Sequence, residues 1–242
     1  MIRLDIYLVQ NNYYASRQKA VDALKASLVL VNDKVINKPS YLVSEKDKVK
    51  VISTTEEYVS RGGFKLKHAL EVFNIDLNDK VVLDIGSSTG GFTDCCLQSN
   101  ARLVYALDVG DSQLANSIKS DRRVVIKDNT NARYINRNDF DPLPDFICVD
   151  VSFISITHLI PIISLLLDSK KQAVILVKPQ FEVGKKYLNK GGIVKDKHQQ
   201  EKVFNQIKTL LHDAKLIQSN WIESPIKGRE GNTEYLVYLI KE

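Results

Sequence analysis

The fold of this chain is decided by the stretch Val81-Val82-Leu83-Asp84-Ile85-Gly86-Ser87-Ser88-Thr89-Gly90-Gly91-Phe92-Thr93-Asp94. An apolar run that ends in an acid and breaks into small residues predicts a buried strand, a glycine-rich turn and the start of a helix. Glycines let a backbone approach a ligand closely, and the free N–H groups of a helix start receive polar or anionic groups. The turn lacks both the Gly-Lys-Ser/Thr of a phosphate loop and the G-x-G-x-x-G of dinucleotide binders. It therefore predicts a loop that holds some other ligand, or else a tight turn without a ligand.

Strands and helices alternate around this stretch, from residue 60 to residue 242. The predicted strands cover residues 80–84, 103–108, 124–127, 145–150, 173–177, 216–222 and 234–240. The predicted helices cover residues 62–73, 91–98, 112–119, 156–167 and 199–214. Apolar strands that alternate with helices indicate an α/β fold whose mostly parallel sheet is covered on both faces. Seven strands, the last two joined by a loop, resemble the methyltransferase variant of the doubly wound, Rossmann-like sheet. Ligands of such sheets lie beyond the carboxyl ends of the strands.

Residues 1–51 form a unit of their own. Apolar residues at positions 4, 8 and 9 have helical spacing, and residues 15–24 form a second helix for which Ser16 is the predicted N-cap. Residues 28–36 read as a strand, a turn and a return strand, and the alternating residues 47–52 close the unit. A small α+β unit of this size predicts a binding module rather than a deep active site. The polar residues 52–59 are the predicted linker, and residues 60–242 the second domain.

Composition places the chain among soluble globular proteins, with 44% hydrophobic and 26% charged residues. No apolar run approaches the ~20 residues of a membrane helix, and the first residues lack a signal-peptide core, so we expect a cytoplasmic protein without a membrane partner. The net charge of +5 is compatible with nucleic acid but decides nothing alone. Three cysteines, Cys95, Cys96 and Cys148, lack paired metal spacing, so we expect buried thiols and no metal site.

Acids follow the first three strands of the predicted sheet. Asp108, after the second strand, is placed to accept hydrogen bonds from ribose hydroxyls. Asp84, which ends the first strand, would be stabilised by loop N–H groups or a cofactor amine, and Asp128 would reach an adenine edge. The alternative for each is a helix or turn cap, because Asp is common at strand ends.

Four further polar residues stand where chemistry is expected. Asp150 ends the fourth strand and Lys178 ends the fifth, a nearly all-apolar strand on which a lysine is costly unless paired. We expect the two to pair, with snorkelling of the amine to solvent as the alternative. Lys65, in a predicted helix, has no opposite charge nearby in sequence, and Glu234 begins the last strand after a loop rich in glycine and basic residues. No Asn/Asp-Pro-Pro-aromatic segment, typical of adenine N-methyltransferases, follows the fourth strand.

Together these motifs resemble a known family. The Asp-x-Gly-x-x-x-Gly-Gly turn resembles the cofactor loop of S-adenosylmethionine (SAM) methyltransferases. Lys65 in Ser-Arg-Gly-Gly-Phe-Lys-Leu, Asp150 in Val-Asp-Val-Ser-Phe-Ile-Ser, Lys178 in Leu-Val-Lys-Pro-Gln-Phe-Glu and Glu234 in Gly-Asn-Thr-Glu-Tyr match the Lys-Asp-Lys-Glu tetrad of FtsJ-like ribose methyltransferases. Residues 3–5, 16–20 and 29–32 match the signature of the S-four RNA-binding domain, although Ser27 and Asp33 stand where glycines are usual. In this order the two domains resemble the TlyA (haemolysin A) family of ribosomal RNA 2′-O-methyltransferases.

The resemblance implies SAM-dependent methyl transfer to a ribose 2′-hydroxyl, with ribosomal RNA or a ribosomal subunit as partner. Lys178 is then the expected base, Lys65 and Asp150 position it and the hydroxyl, and Glu234 completes the network. The expected cofactor-binding residues are Asp84, Gly86, Ser87, Ser88, Gly90, Gly91, Phe92, Asp108 and Asp128. The expected RNA-binding residues are Arg3, Arg17, Lys19 and Lys25, for which simply solvated charges are the alternative.

Two other function classes stay open at this point. One is a non-catalytic RNA-binding protein with a relic methyltransferase fold, against which the intact tetrad and glycine loop count. The other is a haemolysin-type membrane-active protein, against which the lack of a signal, a membrane span or a strong amphipathic stripe counts. The sequence leaves open the modified nucleotide, the ribosomal subunit and the oligomeric state.

Overall fold

The computed structural model describes residues 1–11, 13, 14, 16–25, 28–32, 34–44, 46–51, 58–111, 113–194, 196–228 and 230–242. The chain divides into two compact units, Met1–Glu57 and Tyr58–Glu242. Sequence expectations that concern Ser27, Asp33 or residues 52–57 of the predicted linker lie outside the described residues.

The first unit combines short strands with two helices. Its elements are β1 (Ile2–Arg3), α1 (Leu4–Gln10), α2 (Arg17–Lys25), β2 (Val29–Val31), β3 (Lys34–Val35), β4 (Leu42–Val43) and β5 (Val49–Val51). The predicted hairpin is confirmed, because β2 pairs antiparallel with β3 on one side and with β5 on the other. The pairing of β1 with β4 was not predicted, since two-residue strands carry no readable period. The Ser16 hydroxyl accepts the Lys19 N–H at 3.3 Å, which confirms the cap of α2.

The second unit alternates strands and helices as expected. Its elements are α3 (Gly62–Phe73), β6 (Val81–Ile85), α4 (Gly91–Gln98), β7 (Leu103–Leu107), α5 (Asn116–Lys119), β8 (Val124–Lys127), β9 (Phe146–Val149), α6 (Ile160–Leu166), β10 (Gln172–Val177), α7 (Pro179–Glu182), α8 (Lys197–Asp213), β11 (Leu216–Glu223) and β12 (Tyr235–Lys241). Short 3-10 turns cover Ala132–Tyr134, Arg137–Asp139, Ile156–His158 and Lys185–Tyr187.

Three helices depart from the expectation. The predicted helix 112–119 is a single turn, α5, within the described residues. The predicted helix 156–167 is a 3-10 turn followed by α6, which has Pro161 in its first turn, where a missing N–H costs no hydrogen bond. The unpredicted α7 begins with Pro179, directly after β10.

One large sheet organises the second unit. Within the described residues it has seven strands, in the order β8-β7-β6-β9-β10-β12-β11. Only β12 runs against its neighbours, β10 and β11, and the remaining pairs are parallel, which confirms the doubly wound α/β class. Alternate residues of β6 enter two separate apolar cores, Leu83 in one and Val82 in the other, so helices cover both faces. Among the described helices, none is long and apolar enough to cross a bilayer.

The second unit begins two residues before the predicted position 60. Tyr58 is buried and meets Phe64 edge to face at 5.2 Å between ring centroids. The Asp94 carboxylate of α4 accepts the Val59 N–H at 2.7 Å. These contacts hold the start of the unit against α3 and α4, whereas the sequence around residue 58 reads only as polar linker.

Candidate active site

The sheet brings the four tetrad positions to one edge. Asp150 directly follows β9, and Lys178 directly follows the parallel strand β10, so both lie at the carboxyl ends of their strands. Since β12 runs antiparallel to β10 with Val177 opposite Tyr235, the preceding residue, Glu234, lies at the same edge. Lys65 reaches this edge from α3. This is the edge at which ligands of parallel sheets bind.

At this edge the tetrad forms two ion pairs. Lys178 Nζ lies 2.6 Å from Asp150 Oδ1, and the pairing expected from the sequence is confirmed. Lys65 Nζ lies 2.6 Å from Glu234 Oε2, and these side chains are 11% and 3% exposed. Each partner supplies the counter-charge that makes burial of the other tolerable, and removing one member of such a pair typically costs about 3–5 kcal/mol.

Two residues of the site were not singled out from the sequence. Ser152 Oγ accepts a hydrogen bond from Lys178 Nζ at 2.9 Å. Phe153 is 91% exposed, has a left-handed φ of 65°, and lies 5.1 Å from the Phe181 ring. A bulky residue with positive φ is a strained outlier of the kind that clusters at functional sites. Their position just after Asp150, at a strand end, is the sequence signal that would have found them.

A half-buried carboxylate holds the loop that carries Ser152 and Phe153. Glu182, the last residue of α7, accepts hydrogen bonds from Ser155 Oγ and from the Ile156 N–H, the latter at 2.8 Å. Burial raises the pKa of Glu182, and the two hydrogen bonds act against that rise. At the other end of the loop the Asp150 N–H donates to the Ile85 carbonyl at 3.0 Å. The loop is therefore fixed to β6 at its start and to α7 at its end.

The glycine-rich turn after β6 approaches the loop after β9 very closely. Gly86 has a φ of +86°, and a Cβ at this residue would lie 2.4 Å from the Asp150 carbonyl oxygen. Only glycine fits both requirements. Ser87 is buried, and its hydroxyl has no hydrogen-bond partner among the described residues.

Asp84 lies at the base of the same turn and is fully buried. Its pKa is raised to about 7, mainly by burial; the hydrogen bond from Thr93 opposes this rise, and the nearby Asp150 charge adds to it. Thr93 Oγ1 donates to Oδ2 at 2.6 Å, whereas Oδ1 has no hydrogen-bond partner in the described part of the chain. A buried acceptor without a donor is a feature of sites that receive a ligand group.

Asp108 already binds two N–H groups of the surrounding loops. Its Oδ2 accepts the Ser88 N–H at 2.9 Å, and its Oδ1 accepts the Gly110 N–H at 2.7 Å. Ser88 itself is exposed, with a φ of 48°. Asp128 lies half-buried one residue beyond the edge strand β8. Asp108 thus caps the surrounding turns, which was the alternative to ligand binding. Each of its carboxylate oxygens still has a second lone pair that a ligand can use.

The last part of the turn packs helix against helix. Gly90 is the N-cap of α4, and a Cβ at Gly91 would lie 2.2 Å from Ser60 Oγ and 3.0 Å from the Gly63 nitrogen. The Phe92 ring is buried in the core between α3, α4 and the sheet. The Cα of Gly91 and the ring of Phe92 therefore serve helix packing. What these two residues can offer a ligand is their backbone N–H groups, which are donors at the start of a helix.

In the first unit, two of the four expected RNA-binding residues share one buried acid. Arg3 Nε and Arg17 Nε lie 3.0 and 2.9 Å from the two carboxylate oxygens of Asp5, which is fully buried. Hydrogen bonds from Arg3 and then Arg17 hold the pKa of Asp5 below its ordinary value against the effect of burial. The Arg17 side chain remains 61% exposed, and Lys19 and Lys25 are exposed on α2.

The three cysteines are buried free thiols, as expected. Cys95 and Cys96 of α4 and Cys148 of β9 belong to the same apolar core. Burial raises the pKa of Cys148 well above its ordinary value, so this thiol is unreactive.

Comparison with known proteins gives matches over the whole chain. A family model described as FtsJ-like methyltransferase matches residues 58–241, and one described as S4 domain matches residues 2–49. Hemolysin A of Brachyspira hyodysenteriae is 42% identical over 240 residues, which are 99% of this chain and 100% of that protein. The 16S/23S rRNA (cytidine-2'-O)-methyltransferase TlyA of Mycobacterium tuberculosis is 36% identical over 238 residues, 98% of this chain and 89% of that one. A solved structure from Streptococcus thermophilus, 38% identical, has a TM-score of 0.77 and covers 99% of this chain and 88% of its own.

Proposed function

The chain belongs to the FtsJ-like methyltransferase family, and from this premise we propose that it transfers the methyl group of SAM to a ribose 2′-hydroxyl of ribosomal RNA. The observation that carries the proposal is the pair of lysine–carboxylate contacts at the carboxyl edge of the sheet, beside the glycine-rich turn. The names of several relatives point the same way, since TlyA of Mycobacterium tuberculosis is a 16S/23S rRNA (cytidine-2'-O)-methyltransferase.

The turn after β6 offers what SAM needs. The unpartnered Asp84 Oδ1 and Ser87 Oγ would receive its amine and carboxylate region, and Asp108 would accept its ribose hydroxyls. The N–H groups of Gly91 and Phe92, at the start of α4, and the edge residue Asp128 complete the proposed binding set. The N–H groups of the turn itself already donate within the protein, for example that of Gly86 to the Leu107 carbonyl. When bound, the sulfonium supplies an electrophilic methyl group, so the protein has only to align the 2′-hydroxyl and remove its proton.

The two ion pairs have different proposed roles. Lys178, as its neutral amine, takes the proton of the 2′-hydroxyl, and Asp150 stabilises the ammonium that forms. Lys65 stabilises negative charge that develops on the hydroxyl oxygen. Glu234 holds Lys65 in place through a contact that joins α3 to the start of β12.

The RNA would be held by both units. We assign Arg3, Arg17, Lys19 and Lys25 to phosphate contacts, because the exposed guanidinium of Arg17 and the two lysines present positive charge to solvent. In the second unit, Phe153 offers an exposed ring beside Ser152, where the base of the target nucleotide can stack. The proposed substrate is ribosomal RNA, free or in a subunit.

The test is methyl transfer from labelled SAM to small and large ribosomal subunits taken from cells that lack this gene. Label is mapped to ribose or base. Two variants at the proposed base separate chemistry from charge: Lys178→Ala removes the cation, whereas Lys178→Arg keeps an ion pair with Asp150 but cannot accept a proton. Both should abolish transfer and leave SAM affinity unchanged.

A matched control lies on the same two strands. Lys171 and Asp145 form an ion pair just before β10 and β9, at the opposite edge of the sheet. Lys171→Ala should therefore keep full transfer. Ribose label that is lost in both Lys178 variants and kept in Lys171→Ala supports the proposal. Label on a base, or transfer retained in Lys178→Arg, contradicts it.

A further inference from the structure

The amine of Lys178 has one directional hydrogen bond among the described residues, and its acceptor is Ser152 Oγ at 2.9 Å. The contact with Asp150 Oδ1, at 2.6 Å, is an ion pair that falls outside hydrogen-bond angles. Asp150 therefore supplies charge, which attracts the amine from any direction. Ser152 supplies direction, because a hydrogen bond weakens steeply when it bends.

We propose that Ser152 is a positioning residue that aims the lone pair of Lys178 at the ribose 2′-hydroxyl. This inference rests on the proposed function. A lysine in its base form has two N–H bonds and one lone pair. With one N–H directed to Ser152 Oγ and the other attracted by the Asp150 charge, the lone pair takes the remaining direction, which we assign to the 2′-hydroxyl. Without Ser152, rotation about the terminal C–N bond would point the lone pair away from the hydroxyl for much of the time.

The position of Ser152 is itself firmly set. Two residues before it, the Asp150 N–H donates to the Ile85 carbonyl, and three residues after it, Ser155 is hydrogen-bonded to Glu182. Ser152 is exposed, and threonine adds only one methyl group to it. These facts allow a conservative variant that keeps the hydroxyl.

The experiment compares Ser152→Ala, Ser152→Thr and a control, Ser164→Ala, in the full chain. Ser164 Oγ also accepts a hydrogen bond from a lysine, Lys241, at 2.9 Å, but Lys241 ends β12 at the edge of the sheet opposite the tetrad. Because a misplacement of about 1 Å costs on the order of 100-fold in rate, Ser152→Ala should lower kcat by about 10- to 100-fold. The KM for RNA and the Kd for SAM should stay within about twofold of wild type, since neither substrate is held by Ser152 in this proposal.

Ser152→Thr should restore kcat, and Ser164→Ala should match wild type. A kcat of Ser152→Ala equal to wild type overturns the proposal, as does a loss that appears only in KM or that threonine does not rescue. Crystal structures of wild type and Ser152→Ala give a second readout without turnover. The Lys178 amine should move or become spread over several positions, and an unchanged amine position overturns the proposal. Failure of the proposed function is a different result: wild type would then methylate no ribosomal RNA, while the two crystal structures would still decide the role of Ser152.

Discussion

Replacing Asp84 by Asn should remove a pH-dependent part of the stability of the second unit. Asp84 is fully buried in β6, and Thr93 Oγ1 donates to it at 2.6 Å. Burial, the largest influence, raises its pKa to about 7. Asparagine has nearly the same size and keeps an oxygen that accepts the Thr93 hydroxyl, but it cannot ionise. The substitution therefore isolates the effect of charge at this position.

The sign follows from proton binding. In the unfolded chain the carboxyl ionises near pH 3.8, whereas in the folded protein it keeps its proton up to about pH 7. Between these values the folded state binds more protons, so the free energy of unfolding falls as the pH rises. A difference of about three pH units corresponds to about 4 kcal/mol over the whole window, at about 1.4 kcal/mol per unit. About 2–3 kcal/mol of this falls between pH 5 and pH 8.

Other carboxyl groups do not obscure the effect. Asp5, Asp121 and Asp145 have lowered pKa values, so their contributions to stability are lost only as the pH falls below about 3.8. Glu182 has a raised pKa and acts in the same direction as Asp84. Because Glu182 is present in both proteins, its share cancels when the variant is compared with wild type.

The assay is urea unfolding of wild type and Asp84→Asn from pH 5 to pH 8. Trp221, the single tryptophan, lies in β11 of the second unit, so its fluorescence reports on that unit alone. The free energy of unfolding of the variant minus that of wild type should rise by about 2–3 kcal/mol across the range. A difference that stays constant within about 0.5 kcal/mol would refute the reasoning, because the Asp84 carboxyl would then already be ionised in the folded protein.

Three further predictions concern packing, substrate and RNA. Gly91→Ala should destabilise the second unit by about 1–3 kcal/mol in urea, because its Cβ would lie 2.2 Å from Ser60 Oγ and 3.0 Å from the Gly63 nitrogen of α3; unchanged stability would show that the Ser60 side chain and α3 can both give way. Phe153→Gly should relieve a strained φ and raise stability by about 1 kcal/mol, yet lower kcat/KM for ribosomal RNA; an undiminished kcat/KM would exclude base stacking. Arg17→Gln should weaken RNA binding and reduce the salt dependence by about one counterion, measured by filter binding at several salt concentrations, whereas an unchanged slope would mean that Arg17 serves only Asp5.

The large elements of the fold could be predicted from the sequence because their patterns are long. The strand predicted at residues 80–84 is β6, Val81–Ile85, and the helix predicted at residues 62–73 is α3. A buried strand between turn signals, or an apolar stripe over three helical turns, is readable without neighbours. The short elements are different. The two-residue strands β1 and β4 form because they pair with each other across the first unit, and the single turn α7 begins at a proline, so no local period marks them.

In the candidate site, too, contacts that follow from strand order could be predicted, and contacts between residues distant in sequence could not. The pairing of Lys178 with Asp150 could be predicted, because adjacent parallel strands bring their carboxyl ends together. The pairing of Lys65 with Glu234 spans 169 residues, and no local signal gives it. The role of Asp5 was also missed, since an acid in an exposed-looking segment gives no hint that two arginines bury it. The order of strands in the sheet decides which distant residues meet, and the hydrophobic pattern of a single sequence does not reveal that order.

Strands β9 and β10 carry an ion pair at each end, Lys171 with Asp145 and Lys178 with Asp150, and only the second pair belongs to the proposed site. At the amino ends, burial alone would raise the pKa of Asp145, but hydrogen bonds from Lys171 and the Val81 N–H outweigh it and leave the pKa low. At the carboxyl ends, Asp150 Oδ1 lies against Lys178 without any hydrogen bond among the described residues. A carboxylate whose hydrogen bonds are already made gains little from a substrate. A buried carboxylate oxygen without a hydrogen bond is stabilised when a substrate group donates to it. Lys171→Ala should therefore cost stability without loss of transfer, and Lys178→Ala should cost transfer first. The reverse result would move the site to the opposite edge of the sheet.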